Sequence, residues 1–370
     1  MKRLFVNAGI LAWKNDSFYY IEDGCLGVNG DTICYIGKDR PADVYDDVRD
    51  MSGRLLMPGL IDCHCHNAMT LLRGIGSDLP LQQWLFDEMF PVEDRLTAED
   101  IKAGNELAMM ELIASGVTSF SDMYMEAQTL IDLNERIGMK ASVCRVIQSF
   151  DPNEKPEDSV RIRESCELFE KYNGAQNDRI RIDFAVHAEY TSTDAVTSGY
   201  ADRIRKYIPQ NARMQIHMSE TAKEHGECIE RHGMTPCAWF EKMGILDVPT
   251  GAAHCVCVTP EDMEIMKPET VLKMATVNGA KLQGRDNTGC LEVGKKADII
   301  AVDFRDKPHM YPAFEPMAML VYAAQASDVC MTMVDGNILY EDGKFLTLDR
   351  AQVIENAKAA VQRLYKGERK

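Results

Sequence analysis

The sequence predicts an α/β protein: a (β/α)8-type, TIM-like barrel with a small β-sandwich built from both termini. Three observations predict it. From Met57 onward short apolar strands alternate with longer helical segments, the pattern of a parallel sheet. Ionisable side chains stand at the ends of these strands, and functional groups gathered at the carboxyl ends of parallel strands are the arrangement of a barrel. Strand-rich, turn-punctuated sequence marks both ends of the chain.

The first 56 residues alternate apolar and polar, and Asn29-Gly30 between Gly27-Val28 and Thr32-Ile33 carries the chemistry of a tight hairpin turn. The helical segment from Ala98 to Ser115 precedes a strand from Gly116 to Asp122. Further strands are expected at Lys140 to Ile147, Ile180 to His187, Met214 to His217 and Gly251 to Val258, giving up to six βα units. An open doubly wound sheet is the rival architecture, but the first loop carries His-X-His where a nucleotide-binding sheet carries a glycine-rich turn. After Asn287 strands return at Ala297 to Asp303 and Cys330 to Val334. Asp335-Gly336 marks a hairpin, and an amphipathic helix is expected from Leu348 to Tyr365. Residues 1–56 and 287–370 are therefore expected to form one composite sandwich domain around a barrel of residues 57–286.

The chain has 370 residues, enough for one large core and a companion. Its formal charge of -17 repels phosphate backbones and anionic lipid, so nucleic acid and membranes are excluded as partners and a small-molecule substrate is expected. No apolar run reaches the roughly 20 residues of a membrane span, and Met1-Lys2-Arg3-Leu4-Phe5 leads straight into strand-like sequence. A cytoplasmic location follows as the expectation. The 12 cysteines lie mostly within apolar runs and read as reduced, buried thiols.

His64 and His66 sit two apart at a strand end, so their side chains share one face and both imidazoles can reach one metal ion. Cys63 and Cys65 then face the other way, toward packing. His217 closes another strand and is followed three residues later by Glu220, a carboxylate able to shuttle protons between a metal-activated water and a substrate. His254, at the end of a third strand, is placed to hydrogen-bond the attacking water or polarise developing charge. His187, also at a strand end, is better placed for substrate. His225, His232 and His309 read as surface or loop residues.

These five histidines and the glutamate, with the lead-in Met57-Pro58-Gly59-Leu60-Ile61-Asp62, resemble the amidohydrolase superfamily. Phe90-Pro91-Val92-Glu93, Ser121-Asp122-Met123-Tyr124 and Ala252-Ala253-His254-Cys255-Val256 resemble its branch of methylthioadenosine and S-adenosylhomocysteine deaminases and triazine hydrolases. The resemblance implies that His64, His66 and His217 bind the metal, that Glu220 is the proton shuttle and that His254 assists the water. It also implies that Trp84, Glu93, Arg145 and His187 line the substrate pocket. Trp84 offers a stacking face for a flat ring, Glu93 can accept two ribose hydroxyl protons, and Arg145 can grip a carboxylate. Trp84 as ordinary helix packing and Arg145 as a structural ion pair remain open. No lysine ends the strand from Ala141 to Ile147, Lys140 lying at its start. The implied cofactor is therefore one divalent metal ion, Zn²⁺ first, with Fe²⁺ or Mn²⁺ as alternatives.

The implied activity is hydrolysis of a C–N bond in a cyclic amidine: deamination of an aminopurine nucleoside of the methylthioadenosine, S-adenosylhomocysteine or adenosine type, releasing ammonia. Guanine or cytosine deamination and triazine dechlorination share the same metal chemistry, and a truncated non-catalytic homologue is the reading from another class. A homodimer is the default assembly. One departure stands out. Between Lys267 and Pro268 the chain passes directly into sequence resembling the helix after the family's last barrel strand, so about two βα units, roughly 60 residues, are absent. With them goes the aspartate that in the family is the last metal ligand and general base. Asp122 resembles a different strand-end position and Asp286 a loop beyond the helix. Either the natural protein carries a segment here or the deletion is real.

Overall fold

The computed structural model describes residues 1–265, 273–305, 307–310 and 316–365. Five strands open the chain: β1 (Lys2–Lys14), β2 (Ser17–Asn29), β3 (Thr32–Gly37), β4 (Asp47–Asp50) and β5 (Arg54–Pro58). Six follow in the middle: β6 (Leu60–Cys65), β7 (Val117–Asp122), β8 (Lys140–Ile147), β9 (Ile180–Val186), β10 (Met214–Met218) and β11 (Thr250–His254). Four more complete the strands of the described residues: β12 (Ile299–Asp303), β13 (Val329–Val334), β14 (Asn337–Glu341) and β15 (Lys344–Phe345). The middle six pair in parallel in sequence order, the barrel sheet expected from the alternation. The two chain ends hydrogen-bond into one continuous nine-stranded sheet, joined where β5 pairs antiparallel with β12.

The helices used below are α1 (Ala98–Ala114), α2 (Ala127–Ile137), α3 (Val160–Tyr172), α4 (Asp194–Ile204), α5 (Ala222–His232) and α6 (Arg350–Leu364). Their starts are written in the sequence. Thr97 caps α1 and Asp100 answers it in a capping box, while Thr193 and Thr221 cap α4 and α5. Strand residues Phe120, Ile182, Phe184, Val186, Met214 and Ile216 share one core cluster with Ile131 and Ile137 of α2 and Phe169 of α3. The strand side chains that do not enter this layer are left to build the barrel interior and its mouth.

Two local boundaries differ from the sequence expectation. The first hairpin turns at Gly30 and Asp31, with Asn29 paired to Thr32, because Gly30 takes the positive φ of 60° that the turn requires. Strand β11 was expected to reach Val258 but ends at His254. There His254 and Cys255 adopt φ of 72° and 54°, a left-handed turn that an apolar run does not announce. At Asp335-Gly336 the hairpin forms as expected, both residues at positive φ between paired Val334 and Asn337.

Among the described residues the barrel sheet has edges at β6 and β11. The helical segments Met274–Asn278 and Gly279–Leu282 both pack against β6, and Leu282 reaches β11. A Cβ on Gly279 would lie 3.0 Å from Cys63 Sγ and from Ile61 on β6, and one on Gly251 of β11 would lie 3.1 Å from Leu282. Glycine at 279 thus permits a close approach that partly covers the two edges. Lys140, at the start of β8, donates to Asp298 at 2.6 Å and Asp335 at 2.8 Å, all three buried, and so ties the barrel to the terminal sheet. All 12 cysteines are free thiols. No helix among the described residues is long and apolar enough to cross a membrane.

Candidate metal centre and active site

His64 and His66 occupy the carboxyl end of β6, and His217 that of β10. Their rings converge: Nε2 of His217 lies 3.2 Å from Nε2 of His64 and 3.2 Å from Nε2 of His66. The opposite nitrogens are engaged by main chain, Nδ1 of His66 with the Met123 carbonyl at 2.6 Å and Nδ1 of His217 with the His187 carbonyl at 2.7 Å. A carbonyl fixes Nδ1 as the protonated donor and leaves the Nε2 lone pair for a cation. Two ligands about 2.0–2.1 Å from one ion at the tetrahedral angle stand ~3.3 Å apart, so these nitrogens fit a divalent metal. Among the described residues these three form the one cluster with this property.

The electrostatics agree. Burial, with the nearby rings of His66, His254 and His187, pushes His64 down to about 3. Burial likewise lowers His66 and His217. The imidazoles are therefore neutral, the form that binds metal. Cys65 points away, its thiol 3.3 Å from the Ser121 carbonyl, and Cys63 packs by Gly279, so neither joins the cluster. Asp122, which burial lifts to about 7, accepts the Asn67 N–H at 2.8 Å and holds the turn after His66.

Glu220 and His254 stand beside the cluster, their Oε2 and Nε2 3.6 Å apart, and the left-handed turn at His254 brings its ring 5.3 Å from that of His64. Burial raises Glu220 above the usual carboxylate range and lowers His254, which favours neutral forms of both. All five groups open into a cavity of about 590 Å³, together with Trp84, Glu93 and His187. The Trp84 indole is pinned by its N–H to the Ile75 carbonyl at 3.0 Å. Glu93, raised by burial, accepts the Tyr124 hydroxyl at 2.7 Å on one oxygen. His187, pushed down to about 3 by burial, has Nδ1 3.1 Å from the Thr191 hydroxyl.

Arg145 is the exception among the residues singled out from the sequence. Its guanidinium pairs with Glu164 at 2.8 Å, the structural ion pair weighed above, and the cavity wall holds Arg161 instead. Arg161, on the first turn of α3, donates to both the main-chain and side-chain oxygens of Gln148 at 3.0 Å. No motif surrounds it, so only the packing of α3 against the barrel could reveal it. His232 and His309 are bound by the buried carboxylates of Glu189 at 2.7 Å and Asp328 at 2.8 Å, which places them away from the metal cluster.

A parallel barrel with an imidazole cluster at the carboxyl ends of its strands, flanked by a carboxylate and a further histidine, defines a metal-dependent barrel hydrolase. The chain belongs to the amidohydrolase family, whose sequence pattern matches residues 55–267 and 263–339. It is 31% identical over 436 aligned positions to the 5-methylthioadenosine/S-adenosylhomocysteine deaminase of Thermoanaerobacter pseudethanolicus, covering 98% of this chain and 99% of that protein. It is also 31% identical to the 5'-deoxyadenosine deaminase of Methanosarcina mazei, covering 93% and 94%. Among solved structures, an adenosine deaminase from Xanthomonas campestris with bound zinc superposes with a TM-score of 0.87 at 22% identity, covering 98% of each chain.

The alignment with the Thermoanaerobacter protein is longer than the 370 residues of this chain, so that relative carries internal sequence with no counterpart here. The family pattern breaks at 263–267, where the shortfall was expected. The junction of Lys267 and Pro268 itself lies outside the described residues.

Proposed function

We propose that this chain hydrolytically deaminates an aminopurine nucleoside of the 5'-methylthioadenosine, S-adenosylhomocysteine or adenosine type, releasing ammonia. One observation carries the reading: the three converging Nε2 atoms share a cavity with Glu220, His254, Trp84 and Glu93. His64, His66 and His217 would hold one divalent ion, Zn²⁺ in preference because three neutral imidazoles suit it. When bound, the ion supplies Lewis-acid activation of water.

The chain's own residues supply the rest. Trp84 offers a flat apolar face against which a purine can stack. Glu93, with Tyr124 fixing one oxygen, can accept a sugar hydroxyl on the other. Glu220, whose affinity for a proton burial raises, takes one proton from the attacking water and delivers it to the ring nitrogen next to the amino-bearing carbon. His254 accepts a hydrogen bond from that water and orients it. The second proton passes to the departing amine, which leaves as ammonia. His187 and Arg161 line the wall where the substituent at the 5' position would lie.

A homodimer is the assembly proposed, the two-fold dimer being the commonest form among homo-oligomers. The test is ammonia release from a panel of adenosine, 5'-methylthioadenosine, S-adenosylhomocysteine, guanine, cytosine and a chlorotriazine, with metal-replete protein. Turnover of the adenosine derivatives supports the reading. Turnover confined to guanine, cytosine or the triazine, or none at all, overturns it.

A further inference from the structure

We propose that Glu224 is a positioning residue of this site: its buried carboxylate holds the Ser219–Glu220 turn and through it sets where the Glu220 carboxyl meets the substrate. The inference rests on the role given to Glu220 above. It deepens that role by naming what fixes the shuttle in place.

Glu224 is 1% exposed, an expensive location for a carboxylate unless it is hydrogen-bonded. It accepts the N–H of Glu220 at 2.8 Å and the N–H of Ser219 at 3.2 Å. Its own N–H donates to the hydroxyl of Thr221, the cap of α5, at 3.2 Å. In a simple capping box the third helical residue reaches back to the N–H of the cap residue. Here the carboxylate reaches beyond the cap to the two residues that lead out of β10. Those residues need holding: Ser219 is fully buried and sits at φ 47°, a left-handed conformation unfavourable for a residue with a Cβ. Its hydroxyl lies 3.2 Å from Nδ1 of His225, so a second side chain of α5 also grips the turn.

The far end of α5 is fastened as well. Arg231 and His232 hold the buried carboxylate of Glu189, in the loop that follows β9 and His187, at 2.6 and 2.7 Å. One helix is therefore moored at both ends to the loops that carry Glu220 and His187. A carboxylate that must stay within reach of both a water and a ring nitrogen tolerates little displacement, since a misplacement of about 1 Å can cost ~10²-fold in rate.

The test compares Glu224→Ala and Glu224→Gln with the wild type in the full, metal-replete chain. It reads amide hydrogen exchange over residues 218–221, metal content, and kcat and KM for ammonia release from 5'-methylthioadenosine. Removing both acceptors in Glu224→Ala should speed exchange of the Ser219 and Glu220 amides about tenfold. It should lower kcat roughly 10- to 100-fold, with KM within about threefold and one metal still bound. Glu224→Gln, which keeps one acceptor oxygen, should recover part of the kcat loss, and it carries the test if Glu224→Ala does not fold. Unchanged amide exchange, unchanged kcat, or a loss confined to KM or to metal content overturns the proposal. If the wild type releases no ammonia, the proposed function fails, and amide exchange alone then decides whether Glu224 holds the turn.

Discussion

Nε2 of His217 lies 3.2 Å from Nε2 of His64, although the two residues come from strands 153 positions apart in the chain. With the Nδ1 of His217 committed to a carbonyl, that contact is best satisfied by a cation shared between the two lone pairs. His64→Ala should therefore lower bound metal well below one per chain, measured by elemental analysis after dialysis. Unchanged metal content would contradict the ligand assignment.

Glu220 is 3.6 Å from His254 and, as proposed here, touches the reacting atoms without touching the metal. Glu220→Gln keeps the shape and removes the proton shuttle. Ammonia release should fall by about 10²–10⁴-fold while metal content stays at the wild-type value. Loss of metal in this variant would make Glu220 a ligand instead.

The Tyr124–Glu93 hydrogen bond of 2.7 Å should be felt mainly in substrate binding. Glu93→Gln weakens a charge-assisted contact to the sugar by about 1.5–3 kcal/mol, so KM for nucleosides should rise roughly tenfold or more. The matching control is the free base adenine, whose affinity should be nearly unchanged. Equal losses for nucleoside and base would place Glu93 away from the sugar.

The buried histidines make a contribution of definite sign to the pH dependence of the metal-free protein, which the buried carboxyls of Asp122, lifted to about 7, and Asp183, lifted to about 6, oppose. His64 and His187 sit at about 3, below the ordinary histidine value near 6.5. Between those values the unfolded chain binds protons that the folded chain refuses. Their contribution to stability should therefore be full above about pH 6.5 and fall as pH drops below it, by at most about 1.4 kcal/mol per pH unit for each histidine. Thermal unfolding of the metal-free wild type and of His187→Gln between pH 7.5 and 5 isolates this contribution: the wild-type melting temperature should fall relative to that of the variant as pH drops, and a difference that stays constant over the range would contradict it.

Much of the site was legible because its signals are local. His64 and His66 share a strand face by spacing alone, and His217 and His254 stand where apolar runs end. The left-handed turn at His254 was not legible, since nothing in Ala253-His254-Cys255 demands a positive φ. Neither was the exchange of Arg145 for Arg161 in the cavity wall, because Glu164, which claims Arg145, lies one βα connection away. The same holds for Glu224, whose role depends on main-chain hydrogen bonds. In the fold, alternation announced the six parallel strands, but the helical residues Gly279 and Leu282 bridging β6 and β11 reflect contacts far apart in sequence.

Lys140 is buried with Asp298 and Asp335 at the seam between the two sheets. Burial alone would raise the Asp298 carboxyl, and the Lys140 ammonium with the Thr288 hydroxyl overcomes that and holds it low. Removing the cation leaves Asp298 with no direct cation and Asp335 with only Lys296, 3.9 Å away, so Lys140→Met should cost about 3–5 kcal/mol in denaturant unfolding. A cost below about 1 kcal/mol would show that the seam does not depend on this cluster.

The most direct measurement titrates Zn²⁺ into metal-free protein while following both bound metal and ammonia release from 5'-methylthioadenosine. Release should be absent without metal, rise in proportion to occupancy, and level off at one ion per chain. Ammonia release that is independent of metal, or that stays absent with one ion bound per chain, would contradict the assignment of this site to metal-dependent deamination.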